Sequence, residues 1–140
     1  MELDRCINFL LNSAQHNVFQ YLSGRLAVHG ITPGQYGVLN CLWTYKELTP
    51  KQIGEQLHLE ASSVSGLLDR MQKASLIERK TDPENRRAVL VSPTQKALDI
   101  QRPIEQIIDD MNTYVLETFS EEEREALIRA LATISNRVLV

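Results

Sequence analysis

Leu76-Ile77-Glu78-Arg79-Lys80-Thr81-Asp82-Pro83-Glu84-Asn85-Arg86-Arg87-Ala88-Val89-Leu90-Val91 holds two short apolar-bearing runs around a charged centre. Residues 76–80 and 88–91 read as strands. Residues 81–87 carry Asp, Pro and Asn and read as the tip of a hairpin. On both sides of this segment the apolar residues recur every three or four positions, which is the period of a helix. A single hairpin set among helices narrows the fold class at once.

Upstream, the helix starts are written in capping chemistry. Thr32-Pro33-Gly34-Gln35 and Thr49-Pro50-Lys51-Gln52 each place a hydroxyl residue at the N-cap, Pro at N1 and Gln at N3. The hydroxyl accepts from the N3 amide, Gln reaches back to the cap, and Pro lacks only an N–H that would go unpaired anyway. The pattern predicts a largely buried helix over Pro33–Tyr45 and a short one over Pro50–Leu57. A further helix over 61–74 has Val64, Leu67, Leu68 and Met71 inward. Ahead of these, Leu3, Ile7, Leu10, Leu11, Ala14, Val18, Leu22 and Leu26 predict a long first helix that ends near His29-Gly30.

Downstream, Ser92-Pro93-Thr94-Gln95 repeats the box and predicts a long helix bearing Leu98, Ile104, Ile107, Ile108, Met111 and Val115. Pro103 lies inside it and is expected to kink it. Ser120-Glu121-Glu122-Glu123 starts a last helix with Leu127, Ile128, Leu131, Ile134 and Val138. The order is helix, helix, short helix, helix, hairpin, long helix, helix. It predicts a mainly α protein with a small β-hairpin wing, an α/β winged helix-turn-helix. The expected organisation is one domain over 1–140, with a DNA-binding lobe at 32–92. Residues 1–31 and 93–140 would form a helical dimerisation region, because the terminal helices carry more apolar face than one small domain needs.

The net charge is −3 and is unevenly spread. Residues 46–96 hold nine Lys/Arg against seven acids, while the rest of the chain holds six against eleven. A duplex responds to the local field, since salt screens distant charges beyond about 10 Å. Ser62, Ser63 and Ser65 open the fourth helix, where small hydroxyl residues allow close approach to a major groove. Arg70 follows at phosphate or guanine reach. Arg86 and Arg87 stand at the hairpin tip, suited to a narrow, electronegative minor groove. These six residues are the candidate DNA contacts. Read alone, Ser62 and Ser63 could merely cap a helix, and Arg86 and Arg87 could belong to a solvated turn.

No glycine-rich phosphate loop, nucleophile elbow or H-E-x-x-H helix occurs, which argues against an enzyme. The two cysteines, Cys6 and Cys41, form no C-x-x-C pair, and His16, His29 and His58 lack ligand spacing. Neither a metal nor another cofactor is expected. No apolar run approaches the roughly 18 residues of a membrane helix. The mixed-charge start resembles no signal peptide, so a cytoplasmic protein is expected. Tyr21, Tyr36, Trp43 and Phe19 are candidates either for an apolar ligand pocket or for core packing. A winged-helix protein-interaction module is the remaining class, but its wing would be expected to lack Arg86 and Arg87.

The segment 76–94 resembles the wing of the MarR family of bacterial transcriptional regulators, and the resemblance extends over essentially the whole chain. The family's wing carries Asp-x-Arg at its tip and Leu-Thr after its second strand. Here Asn85 stands for the Asp, Pro93 for the Leu, and Ala97 for a usual Gly. The resemblance implies that Arg87 enters a minor groove, with the Asn85 carbonyl able to accept its hydrogen bond. It also implies that Ser62, Ser63, Ser65 and Arg70 face double-stranded DNA. A homodimer on a pseudo-palindromic operator is implied, with release by a small apolar or phenolic effector. A hydroperoxide-sensing branch of the family instead uses a cysteine directly before a segment that Phe9-Leu10-Leu11 matches. That places the sensing position at Asn8, two residues from Cys6 and about 200° away around a helix. Cys6 therefore reads as a packed or interfacial thiol, with an oxidant-sensing repressor as the alternative.

Overall fold

The computed structural model describes residues 1–137 and 139; the predicted helical position of Val138 lies outside them. A 3-10 turn, Leu3–Arg5, precedes α1 (Ile7–Ala27). The expected single helix from Leu3 is interrupted because Cys6 takes extended backbone angles, φ −87° and ψ 115°. Then follow α2 (Pro33–Tyr45), α3 (Pro50–Leu57) and α4 (Ala61–Lys73). Strands β1 (Ile77–Thr81) and β2 (Val89–Pro93) form the hairpin. The chain ends with α5 (Gln95–Asp99), α6 (Gln101–Leu116) and α7 (Glu121–Asn136).

Three of the four predicted boxes close in both directions. Thr32 and Gln35, Thr49 and Gln52, and Ser120 and Glu123 each exchange side-chain and backbone hydrogen bonds. The fourth does not form at Ser92. That residue pairs with Glu78 in the hairpin, and β2 continues through Pro93. Thr94 is the cap instead, accepting from the Ala97 N–H at 3.3 Å. Ladder pairing takes up the backbone of 92 and 93 and moves the helix start two residues on.

The expected kinked helix is two helices. Pro103 has no N–H, and in a continuous helix its ring would meet the carbonyl four residues back, at Asp99. The ladder stops there: α5 ends at Asp99, and Ile100 becomes the N-cap of α6. Pro103 then sits in the first turn of α6, where its missing donor leaves nothing unpaired.

β1 and β2 are antiparallel, with Ile77 opposite Pro93 and Arg79 opposite Val91. Leu48, between α2 and α3, adds a one-residue bridge to Val91, donating at 3.1 Å and accepting at 2.8 Å. The core is continuous from Leu26 through Leu39, Leu42, Ile53, Leu68 and Met71 to Leu76, Val91 and Ile104. It thus lies in the middle of the chain. Of the apolar stripe of α1 only Leu22 and Leu26 are buried, and α7 buries none of its residues. Among the described residues, no helix is long and apolar enough to cross a membrane.

Candidate nucleic-acid interface

Helices α3 and α4 meet across a tight turn. His58 ends α3 in the left-handed region, φ 56° and ψ 43°. Gly54 lies beneath it, and a Cβ there would stand 3.0 Å from the Leu59 carbonyl oxygen. Only glycine lets the turn close this tightly over α3. Val64, Leu68 and Met71 are buried and anchor α4 to the core, the half-buried Leu67 packs against it, and the side bearing the serines faces outward.

Ser62, Ser63 and Ser65 are exposed, and so is Arg70. The N-cap of α4 is Glu60, with no side-chain cap bond, so Ser62 and Ser63 lie inside the first turn and do not cap the helix. Ser65 and Arg70 do not share one side. Five residues apart, they stand about 140° apart around the helix and flank its outward face. Arg70 folds back over Gly66, where an added Cβ would lie 3.4 Å from Nη1. Its guanidinium is thereby carried toward the serine-bearing end of the helix.

The hairpin packs beside α4. Arg79 lies on the same strand face as the buried Ile77, an unexpected place for a charge. Its Nη2 donates to Asp69 Oδ1 at 2.8 Å, and its Nε donates to Gln72 Oε1 at 2.6 Å. At the far end of α4, the Lys96 ammonium donates to the Ala74 carbonyl at 2.8 Å and the Thr94 hydroxyl to the Ser75 carbonyl at 2.6 Å. The helix is therefore tied to both the strand and the residues that follow the wing.

Arg86 and Arg87 are exposed at the tip. Two short turns shape it: Asp82 Oδ1 accepts from the Glu84 N–H at 2.9 Å, and Asn85 Oδ1 from the Arg87 N–H at 3.2 Å. The Asn85 carbonyl thus holds the backbone of Arg87 rather than its guanidinium, which corrects the expected partnership. The six predicted residues fall on two adjacent elements, α4 and the wing. A cleft of about 620 Å³ lies on α3 and the start of α4, lined among others by Pro50, Lys51, His58, Ser65 and Arg79. Neither that cleft nor the role of Arg79 had a signal in the sequence, since both depend on contacts between separate elements.

The four aromatic candidates do not gather in one pocket. Tyr36 and Trp43 are 6.5 Å apart and tilted, and Trp43 Nε1 donates to the Ala97 carbonyl at 3.1 Å, tying α2 to α5. Burial pushes the Tyr36 phenol above its ordinary range; the Asn40 hydrogen bond opposes this, while the Glu105 and Asp109 carboxylates add to it. Tyr21 instead stacks on Tyr114 at 5.4 Å, joining α1 to α6, and Phe19 is exposed. Among the described residues, no three His, Cys, Asp or Glu gather as a metal-holding group.

The sequence matches the model of the MarR family over residues 31–89. It is 36% identical over 107 residues to the organic hydroperoxide resistance transcriptional regulator of Bacillus subtilis, covering 71% of this chain and 73% of that one. A probable transcriptional regulator from Pseudomonas aeruginosa superposes with a TM-score of 0.85 at 27% identity, over 95% of this chain and 99% of that one. A mutant of MarR from E. coli, complexed with operator DNA, gives a TM-score of 0.85 at 22% identity, over 91% of this chain and 92% of that one. At that identity the likeness is one of fold.

Proposed function

We propose that this chain, which belongs to the MarR family, is a homodimeric repressor that reads a pseudo-palindromic operator and leaves it on binding a small apolar or phenolic molecule. Membership makes it a DNA-binding transcriptional regulator; the relatives are regulators and not enzymes. The repressor role, the effector and the contacts are our reading, as is a cytoplasmic location.

One observation carries the DNA contacts. The exposed Ser62, Ser63, Ser65 and Arg70 lie on α4, and the exposed Arg86 and Arg87 on a hairpin bound to that helix through Asp69–Arg79. One body can then present α4 to a major groove and the wing tip to the neighbouring minor groove. The dimer is supported by apolar side chains that the protomer leaves uncovered on its terminal helices: Ile7 is 62% exposed and Ile128 52%, with Leu10, Leu131 and Ile134 near 40%. Uncovered apolar side chains in this number fit an interface between two copies of the chain. A two-fold dimer would set half-sites about one helical turn apart, on the order of 34 Å.

The test is to capture genomic fragments with the purified protein, sequence them, and titrate the recovered duplex against a scrambled one by fluorescence anisotropy. Equal affinity for both, or none, removes the operator-binding reading. The oxidant-sensing alternative draws on the 36%-identical relative named for organic hydroperoxide resistance. Against it, Asn8 occupies the position expected for a sensing cysteine. Peroxide that releases the wild-type protein, but not Cys6→Ser, would favour the alternative.

A further inference from the structure

We infer that Arg79 is a positioning residue that locks the wing to the recognition helix, so that α4 and Arg87 engage DNA as one rigid unit; this rests on the DNA-binding reading. Its guanidinium belongs to neither the tip nor the exposed face of α4. Arg79 sits on the inward side of β1, and its side chain is 30% exposed against 56% for Asp69. Both of its contacts run to α4, at 2.8 Å to Asp69 and 2.6 Å to Gln72.

Asp69 and Gln72 are three residues apart and share one side of α4, one turn beyond Ser65. The fork of the guanidinium bridges them, a geometry that an ammonium on a flexible stem does not reproduce. Among the described residues, the hydrogen bonds of residues 82–88 all lie within the tip itself, so the angle of the tip follows the angle of β1. Asp69 also places a carboxylate on the outward surface of α4, where an unpaired charge would repel phosphate. Arg79 could therefore act in any of three ways: by positioning the wing, by neutralising Asp69, or by touching phosphate itself. The sign of the Asp69→Ala effect sets positioning apart from the other two.

The experiment measures affinity of the full-length protein for the duplex recovered from genomic capture, with circular dichroism and melting to show that each variant is folded. Positioning predicts that Asp69→Ala weakens binding by up to about fivefold, the upper end of what one exposed ion pair is worth, although it removes a negative charge. Arg79→Ala and the double variant Asp69→Ala/Arg79→Ala should fall to the same level. Arg87→Ala should cost less in the Arg79→Ala background than in wild type, because the tip is no longer delivered; additive losses would count against positioning. Arg79→Lys should not rescue, while the swap Asp69→Arg/Arg79→Asp should recover part of the loss. Asp69→Ala binding as tightly as wild type or tighter overturns the inference. In that case a double variant restored to wild-type affinity identifies neutralisation, and a salt slope lowered in Arg79→Ala alone identifies direct contact. If the wild-type protein shows no preference for the recovered duplex, the DNA reading itself has failed.

Discussion

The side-chain carbonyl of Asn85 accepts a hydrogen bond from the backbone N–H of Arg87 at 3.2 Å. The wing tip is thus shaped by a turn that Asn and Asp both form, and the guanidinium of Arg87 is left to project from it. Arg87→Ala should weaken binding to operator and scrambled duplex alike, because a minor-groove arginine answers shape and charge. It should lower the salt slope of log affinity by up to about one unit. Asn85→Asp should keep the turn, whereas Asn85→Ala should weaken binding with the slope unchanged. Anisotropy titrations at several salt concentrations separate these outcomes. A folded Arg87→Ala protein with wild-type affinity and slope means the wing does not touch DNA.

Recognition by α4 should fail differently. Ser65→Ala and Arg70→Ala should each cost about 1–3 kcal/mol on the operator and little on scrambled DNA, if these side chains read base edges. Gly66→Ala is the sharper test. It should stabilise α4 by up to about 1 kcal/mol, yet its Cβ would stand 3.4 Å from Arg70 Nη1, at the edge of ordinary contact, so that the folded-back guanidinium gives by a few tenths of an ångström at most. A raised melting temperature with lowered operator affinity is expected. Unchanged affinity would mean that the folded-back pose of Arg70 has no part in binding.

The terminal helices should hold the dimer. Because α7 buries no residue within its own protomer, ending the chain before Ser120 should leave the lobe folded. It removes Leu131 and Ile134 and should produce a monomer, or an aggregate through the uncovered Ile7 and Leu10. Sedimentation velocity reads the mass, and a well-behaved dimer after truncation refutes the interface.

The two thiols should behave unlike each other. Cys41 is buried, and burial pushes its thiol above the ordinary range. Cys6 is half-buried at the start of α1. Iodoacetamide at neutral pH should add once to the native protein, at Cys6, and twice after denaturation, as read by mass spectrometry. Two rapid native adducts would show that the packing around Cys41 opens readily. Cys6→Ser should leave any effect of peroxide on DNA binding unchanged.

Local chemistry determined much of this protein from the sequence alone. Thr32, Thr49 and Ser120 announced helix starts because an N-cap hydroxyl finds its partner three residues away. The strands of the hairpin were readable within a residue or two, since alternation and turn residues are local signals. Tertiary structure decided what depended on competition between elements or on contact across them. Ser92 opens the same hydroxyl–Pro–x–Gln pattern as Thr49, but pairing with Glu78 claimed its backbone, and Thr94 became the cap. Pro103 marked a disturbance, yet only the packed chain placed the break at Ile100. Arg79 reads in sequence as one more surface cation. Its role follows from Asp69, ten residues earlier and a helix away, and no periodicity encodes a contact between a strand and the helix beside it.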